Sequence, residues 1–285
     1  MRLLYLDCCA GVAGDMLLGC LIDAGADEDY IKNGLSSLNV SGYQINVLQG
    51  KSKGIAARQI NITVEEEQPH RHLADIIEII DTSSLSIKVK GLAKQVFDLI
   101  ARAEAKVHGT TIDHVHFHEV GSLDSICDIV GTLLAVENLG VERIVCSPLP
   151  MGYGYVQCDH GEIPVPAPAT LEILKGIPVR RMEVEGELVT PTGAALVVSL
   201  AEEFSSFPTM IVETTGYGMG TRNFHFPNVV RAVIGKDDLA NHTRVHIQEH
   251  QHNHEHNEHK HEHKHEQDHK HDNEHIHKLQ TQTSA

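Results

Sequence analysis

The sequence predicts a mixed α/β (α+β) fold, with one globular body followed by a disordered, histidine-rich tail. The chain starts with a short apolar strand, a glycine-containing loop and a helical pattern, and strand-like and helical patterns then alternate. After residue 240 there are almost no apolar residues, so nothing offsets the entropy lost on ordering the chain. We therefore assign residues 1–240 to the body and residues 241–285 to the tail.

Composition narrows the class of protein. With 285 residues, 41% of them hydrophobic, the chain can bury a sizeable core. Its net charge of -16 leaves little cationic surface and argues against nucleic acids and membranes as partners. An acid follows the first apolar residues too soon for a signal peptide, no apolar run approaches a membrane span, and the six cysteines form no CxxC pair. We expect a cytoplasmic protein with reduced thiols.

The first candidate site lies between a predicted strand at residues 3–6 and a predicted helix at residues 16–24. A strand, a glycine loop and a helix in this order present backbone N–H groups and the positive end of the helix to an anion. The alternative is that the glycines only let the turn close tightly. The candidates for binding a phosphorylated cofactor here are Asp7, Gly11, Gly14 and Asp15.

Periodicity predicts the elements that follow. Residues 43–48 and 59–65 alternate as strands do and would form a hairpin. His70 and His72 flank an arginine just ahead of a helical pattern and could bind a metal or an anion, with a solvated helix cap as the alternative. The further predicted elements are helices at residues 73–80, 89–107 and 123–139 and a strand at residues 141–146.

Residues 114–124 hold a dense group of potential metal ligands. In an extended segment alternate side chains share a face, so His114, His116 and His118 would converge on one side, next to Glu119. Imidazole and carboxylate together suit nickel, zinc, cobalt, copper or iron better than magnesium or calcium. Asp124 and Asp128 lie one turn apart on the helix that follows and share a face. Asp124 would add a ligand or a catalytic base if that face points back at this motif. The alternative is a polar loop whose histidines only cap and hydrogen-bond.

Turn-forming residues dominate the second half of the body. Prolines and glycines between residues 151 and 169 predict an ordered loop rather than a strand, and His160 could be presented from it as a metal ligand. A short helix is predicted at residues 168–176, and a strand at residues 229–234 closes the body.

Two more segments could bind an anion. Thr190, Thr192 and Gly193 begin a helix that reaches residue 201, and its first N–H groups form a second candidate anion site. The glycines of residues 216–220 predict flexible backbone beside Arg222, which could clamp a phosphate.

The tail predicts metal capture. Fourteen of the 22 histidines lie in it, interleaved with charged and amide residues rather than in the contiguous block of an expression tag. Copper binds such sites most tightly, so the metal used depends on supply and on the chemistry that follows. The candidate ligands in the tail are His250, His252, His254, His256, His259, His261, His263, His265, His269 and His271.

Taken together, these motifs resemble the LarC family of nickel insertion proteins. Each motif alone is weak, but the set is specific and follows the family order from the start of the chain to about residue 235. The motifs are Asp7 and Cys8 with residues 11–16, His70 with residues 71–76, His116 with residues 117–121, His160 with residues 161–169, residues 190–195, and residues 216–222.

The resemblance implies a lyase-class nickel chelatase. Such a protein places Ni(II) in a pyridinium mononucleotide bearing two thiocarboxylates, making two Ni–S bonds and one Ni–C bond, and the product is the nickel-pincer cofactor of lactate racemase. The family implies dependence on CTP with Mn(II) or Mg(II). Longer members continue into another folded domain associated with the CTP step, so a second polypeptide is an expected partner, and we also expect a homo-oligomer.

In this interpretation the tail passes nickel to the motif at residues 114–119, with His70, His72 or His160 as further ligands. Glu119 or a neighbouring histidine would take the proton lost from the ring carbon. The loop at residues 7–15, the segment at residues 190–193 and Arg222 would hold the phosphate. Two alternatives remain, namely a nickel buffer or metallochaperone without chemistry of its own, and a metal-dependent hydrolase.

Overall fold

The computed structural model of the chain describes residues 1–64, 71–115, 123–158 and 161–237. The predicted tail therefore lies outside the described residues. So do five candidate residues of the body, which are His70, His116, His118, Glu119 and His160.

The described residues confirm a mixed α/β fold. The strands are β1 (Arg2–Asp7), β2 (Tyr43–Ser52), β3 (Ile55–Val64), β4 (Arg143–Cys146), β5 (Leu149–Tyr153), β6 (Tyr155–Cys158), β7 (Gly161–Pro164), β8 (Val179–Glu185), β9 (Glu203–Phe204), β10 (Ile211–Met219) and β11 (Val229–Lys236). The helices are α1 (Gly14–Asp23), α2 (Glu28–Ser36), α3 (Leu73–Thr82), α4 (Ile87–His108), α5 (Leu123–Asn138), α6 (Pro168–Ile173) and α7 (Pro191–Leu200).

Strand β1 lies inside a seven-stranded sheet of order β2-β3-β10-β11-β1-β4-β9. It pairs antiparallel with β11 and parallel with β4. Its side chains alternate between two buried faces, as expected for an apolar strand covered on both sides. Leu4 and Leu6 join the main core with the helices, whereas Leu3 and Tyr5 join a small cluster on the other face.

The prediction of flexible backbone at residues 216–220 is wrong, and the glycines of β10 show why. Residues 216–219 belong to a strand rather than to a flexible loop. A Cβ atom on Gly218 would lie 1.9 Å from the backbone oxygen of Met16, and one on Gly216 would lie 2.2 Å from the backbone nitrogen of Ala24. The glycines therefore let α1 pack directly on the sheet.

The prediction of a loop at residues 151–169 is also wrong. Strands β5, β6 and β7 occupy much of this segment, and β6 and β7 pair antiparallel. Pro164 lies at the last pair of that hairpin, opposite Tyr155, where a missing backbone donor costs little. Helix α2 was not predicted at all. Among the described residues, no helix combines the length and the apolar character needed to cross a membrane.

Candidate functional site

Three helices begin around one cavity of about 410 Å³, a volume within the range of small-molecule sites, roughly 300–1,000 Å³. The helices are α1, α5 and α7, so three positive helix ends face the same space. The residues that line the cavity are Ala13, Gly14, Asp15, Asp124, Ser125, Asp128, Glu187, Thr190, Pro191 and Thr192.

Backbone pairing holds the starts of α1 and α7 side by side. The Val12 N–H donates to the Leu188 oxygen at 2.8 Å, and the Thr190 N–H donates to the Val12 oxygen at 3.1 Å. The Thr190 hydroxyl then accepts from the Gly193 N–H at 3.1 Å and caps α7. Gly193 has no room for a side chain, because a Cβ atom there would lie 2.3 Å from the Val12 oxygen. The two segments predicted to bind anions therefore form one wall.

Helix α5 supplies the opposite wall by crossing the start of α1. A Cβ atom on Gly14 would lie 2.7 Å from the Cβ atom of Asp128, so a glycine is needed for this approach. The Asp15 backbone N–H hydrogen-bonds to the Asp128 carboxylate. The sequence placed Asp124 and Asp128 on one face of α5, and that face borders the cavity.

Two acids in this cavity are protonated more readily than an ordinary aspartate. Burial raises the pKa of Asp15 to about 6, with a smaller contribution from the negative charge of Asp124 and opposition from the Met16 N–H. Burial also raises the pKa of Asp128 well above its usual value, and the charges of Asp15 and Asp124 add to this effect. Burial thus outweighs the helix ends, which alone would favour the charged forms.

We expect Asp128→Asn to stabilise the protein at pH 8. Because the folded-state pKa of Asp128 is raised, the folded protein keeps its proton to higher pH than the unfolded chain, so wild-type stability falls as pH rises above about 4. Asparagine removes this loss and can still accept the Asp15 N–H. Urea unfolding should give a gain of about 1–2 kcal/mol at pH 8 that disappears near pH 4.

Asp29→Asn is the matched control, since Asp29 is an exposed acid in the first turn of α2. It should show no comparable gain. A stability difference for Asp128→Asn that does not change with pH would contradict the proposed cost of ionising Asp128.

A smaller cavity of about 110 Å³ adjoins the first, because Ala13, Asp15, Glu187 and Thr190 line both. Arg222 lines this second cavity, and its guanidinium lies 3.5 Å from the Glu187 backbone oxygen. Asn228 fixes the turn that carries Arg222 by donating from its side chain to the Arg222 oxygen at 3.0 Å. The further residues that line it are Met16, Leu188, Gly220, Thr221, Phe224 and Asn228.

Asp7 and Gly11 are not among the described residues that line either cavity. The Asp7 carboxylate pairs with Arg231 of β11 at 2.5 Å, on the sheet face opposite the main core. Gly11 has a φ of 119°, and a Cβ atom there would lie 2.0 Å from the Leu188 oxygen. Gly11 thus serves the close contact between the two segments, and ligand binding by either residue stays a prediction.

His72 and His114 lie near each other in the fold. The Nδ1–H of His72 donates to the backbone oxygen of Val115 at 3.2 Å, and Nδ1 of His114 lies 2.7 Å from the Thr111 hydroxyl. A histidine held through Nδ1 presents Nε2 as its metal-binding atom. Within the described ranges no three His, Cys, Asp or Glu side chains are grouped to hold a metal ion.

The sequence-based prediction missed part of the site. Glu187 and Asn228 carry no motif, and only their packing against the loop after β1 and the turn after β10 reveals them. Asp128 was noted only for sharing a helix face with Asp124. An acid flanked by apolar residues, one turn after an acidic helix start, is a sequence signal that could have singled it out.

The chain matches one protein family over most of its length. The profile of this family, described as nickel insertion protein, matches residues 4–282. The match therefore includes every residue that lines the two cavities.

Curated relatives named pyridinium-3,5-bisthiocarboxylic acid mononucleotide nickel insertion protein are similar across the body. The Staphylococcus epidermidis protein is 44% identical over 248 residues, which is 87% of this chain and 63% of the relative. The Staphylococcus saprophyticus protein is 48% identical over 230 residues, covering 81% and 59%. The Desulfitobacterium hafniense protein is 45% identical over 236 residues, covering 83% and 59%. No solved structure matches the chain significantly.

Proposed function

Because the chain belongs to the nickel insertion protein family, we propose that it inserts nickel into a pyridinium-3,5-bisthiocarboxylic acid mononucleotide. The observation that carries this proposal is a family match that includes both cavities at the helix starts. The aligned part of the chain spans less than two thirds of the curated relatives it matches, from 59% to 63%. The activity of the relatives as whole proteins therefore comes to this chain as a proposal.

The two cavities suit a ligand with a phosphate and a ring. The phosphate would lie in the smaller cavity, where Arg222 provides a cation and the positive end of α7 begins beside Thr190. Asp15, Thr190 and Glu187 connect this cavity to the larger one, which would take the ring. The larger cavity has the volume of a small-molecule site. Because the two cavities adjoin, one mononucleotide can place its ring in the larger cavity and its phosphate in the smaller one.

Nickel, the metal substrate, would reach the ring from the histidine motif. We propose His114, His116 and His118 with Glu119 as its ligands, supported by their spacing in the sequence. The motif leads directly into α5, whose first turn carries Asp124 at the cavity. Glu119 belongs to this motif and Asp124 lines the cavity, so we propose either one as the base that accepts the proton lost from the ring. His70, His72 and His160 are further candidate ligands.

Finer features of the activity rest on the family resemblance. We propose a lyase-class chelatase that uses CTP with Mn(II) or Mg(II) and works with a second polypeptide or domain. Lactate racemase would receive the product, and a homo-oligomer is expected. The described residues offer no group of three metal ligands for Mn(II) or Mg(II), so we assign neither ion to a position.

Mass spectrometry of the nucleotide tests the proposal directly. The chain is incubated with the bisthiocarboxylate mononucleotide, nickel and CTP, with and without the candidate second polypeptide. We expect the mass of the nickel-containing nucleotide in at least one of the two reactions. Its absence from both, with the ligand and the metal saturating, would contradict nickel insertion by this chain.

Deleting residues 246–277 separates a chelatase from a nickel buffer. We expect the deletion variant to keep its insertion rate within about twofold at saturating nickel, because the tail only raises the local metal concentration. The nickel concentration for half-maximal rate should rise roughly tenfold. A full loss of function at saturating nickel would favour the buffer, whose metal-binding groups all lie in the tail.

A further inference from the structure

Four of the described acidic residues line the larger cavity, and two of them, Asp15 and Glu187, also line the smaller cavity proposed for the phosphate. Asp15 comes from the start of α1, Asp124 and Asp128 come from the start of α5, and Glu187 comes from the segment before α7. Carboxylates repel a phosphate, so these residues serve a different part of the ligand or a different step. The described positive groups nearby are the three helix ends and, in the adjoining cavity, Arg222.

One carboxylate oxygen of Asp128 lacks a partner within the described part of the chain. Its Oδ1 atom is buried and has no hydrogen-bond partner among the described residues, although the residue lines the cavity. A buried carboxylate oxygen left in this state costs free energy unless it is protonated or meets a cation. The ligand that enters the cavity can supply that missing partner.

Without ligand, the pair formed by Asp15 and Asp128 is a place to hold a proton. Burial raises the pKa of both groups. The negative charge of Asp124 adds to both effects, and that of Asp15 adds to the effect on Asp128. The other described charged groups that line the two cavities are Asp124 and Glu187, which are acidic, and Arg222, which is positive like the helix ends.

We propose that Asp15 and Asp128 recognise the ring of the mononucleotide by exchanging a proton for its positive charge. The pair holds a proton in the empty cavity, and the positively charged ring nitrogen displaces that proton to solvent when it binds beside the pair, with the two anionic thiocarboxylates on the far side of the ring. No covalent bond forms or breaks in this step except the O–H bond of the carboxyl group. The inference rests on the proposed function only in taking a pyridinium mononucleotide as the ligand, and it makes the pair a determinant of specificity.

The physical reason is the effect of a nearby cation on a buried carboxyl group. A positive charge within a few ångströms favours the ionised form and lowers the pKa. A neutral ring of the same shape offers no such interaction and leaves the proton in place. The site would therefore prefer a cationic ring, and this preference would strengthen as pH rises through about 6, where Asp15 ionises.

Calorimetry with two matched ligands tests the inference without nickel or CTP. Nicotinamide mononucleotide has a pyridinium ring, and its reduced form has a neutral dihydropyridine ring of similar shape. Titrations at pH 6 in buffers of different ionisation enthalpy give the number of protons released. The phosphate has a second pKa of about 6 and loses protons on binding in both ligands, so the difference between the two ligands reports on the carboxyl pair. We expect the pyridinium form to release between about half a proton and one proton more than the reduced form.

Three variants complete the design. Asp128→Asn and Asp15→Asn should each reduce the difference in proton release between the two ligands at least twofold and weaken binding of the pyridinium form more than that of the reduced form. Asp29→Asn, the exposed control on α2, should release as many protons as the wild type. Equal proton release for both ligands, a difference that is unchanged in both cavity variants, or failure of the pyridinium form to bind would each overturn the inference.

The outcome is independent of the proposed function. Nickel insertion is judged by the mass of the nickel-containing nucleotide, and ring recognition by the difference in proton release between the two ligands in the absence of metal. A chain that inserts nickel but shows no such difference retains its function and contradicts only the role of the pair. A chain that releases the additional protons on binding the pyridinium form but inserts no nickel would support the role of the pair and contradict the proposed function.

Discussion

Replacing both His116 and His118 with alanine should lower the rate of nickel insertion about 100-fold or more, even at saturating nickel. The reason is that these imidazoles are the proposed ligands that hold nickel beside the ring, and metal sites lose roughly 10- to 100-fold when only a supporting residue is changed. Histidines of the tail cannot replace them if the metal must be held next to the cavity. The rate is measured from the mass of the nickel-containing nucleotide over time.

His108→Ala is the control for this experiment. His108 lies at the end of α4, is exposed and is within 3.3 Å of Glu104 on the same helix. Its replacement should leave the rate within about twofold of the wild type, because an exposed pair of this kind contributes little to stability. An unchanged rate in the double variant would show that the motif at residues 114–119 is not the metal site.

Gly218→Ala should destabilise the protein by about 3 kcal/mol or more and lower the melting temperature by roughly 10 °C. A Cβ atom at this position would lie 1.9 Å from the Met16 oxygen and 2.5 Å from the Cys20 nitrogen. Both are backbone atoms of α1, so the clash cannot be relieved by a side-chain rotation. Helix α1 would have to move away from the sheet, and the cavity wall that contains Asp15 would move with it. Differential scanning calorimetry measures the change.

Gly91→Ala is the matched control, and we expect it to stabilise the protein rather than destabilise it. Gly91 lies inside α4, and a Cβ atom there would meet nothing within 4 Å. Alanine should therefore stabilise the protein by about 0.5–1 kcal/mol through helix propensity. Equal effects of the two substitutions would contradict the close packing of α1 on β10.

The regular parts of the fold could be predicted from local patterns. The apolar run of β1 and the amphipathic α4 carry their periodicity in a few consecutive residues, and the structure confirms both. Strand β10 could not be predicted in the same way, because Gly216 and Gly218 replace the side chains that would show alternation. Their purpose depends on α1, about 200 residues earlier in the sequence. Local patterns cannot contain that contact.

The candidate site likewise combines features that local patterns predict with features that depend on long-range packing. Asp15 was predicted because it follows a glycine loop at the start of a helix, and Thr190 because it is a helix cap residue. Both are local signals. Their position around one space depends on the pairing of Val12 with Leu188 and on the crossing of α1 and α5 at Gly14. Asp7 had an equally suggestive position at the end of a strand, but its partner is Arg231 from the last strand. Only the long-range packing separates these cases.

A crystal structure with the bound bisthiocarboxylate mononucleotide and nickel tests the central claim most directly. The anomalous signal at the nickel absorption edge locates the metal, and the electron density locates the ligand. The ring nitrogen should lie beside Asp15 and Asp128, the phosphate should lie near Arg222 and the start of α7, and the metal should lie at the border of the larger cavity. Density for the mononucleotide on another face of the body, with both cavities empty, would contradict the account.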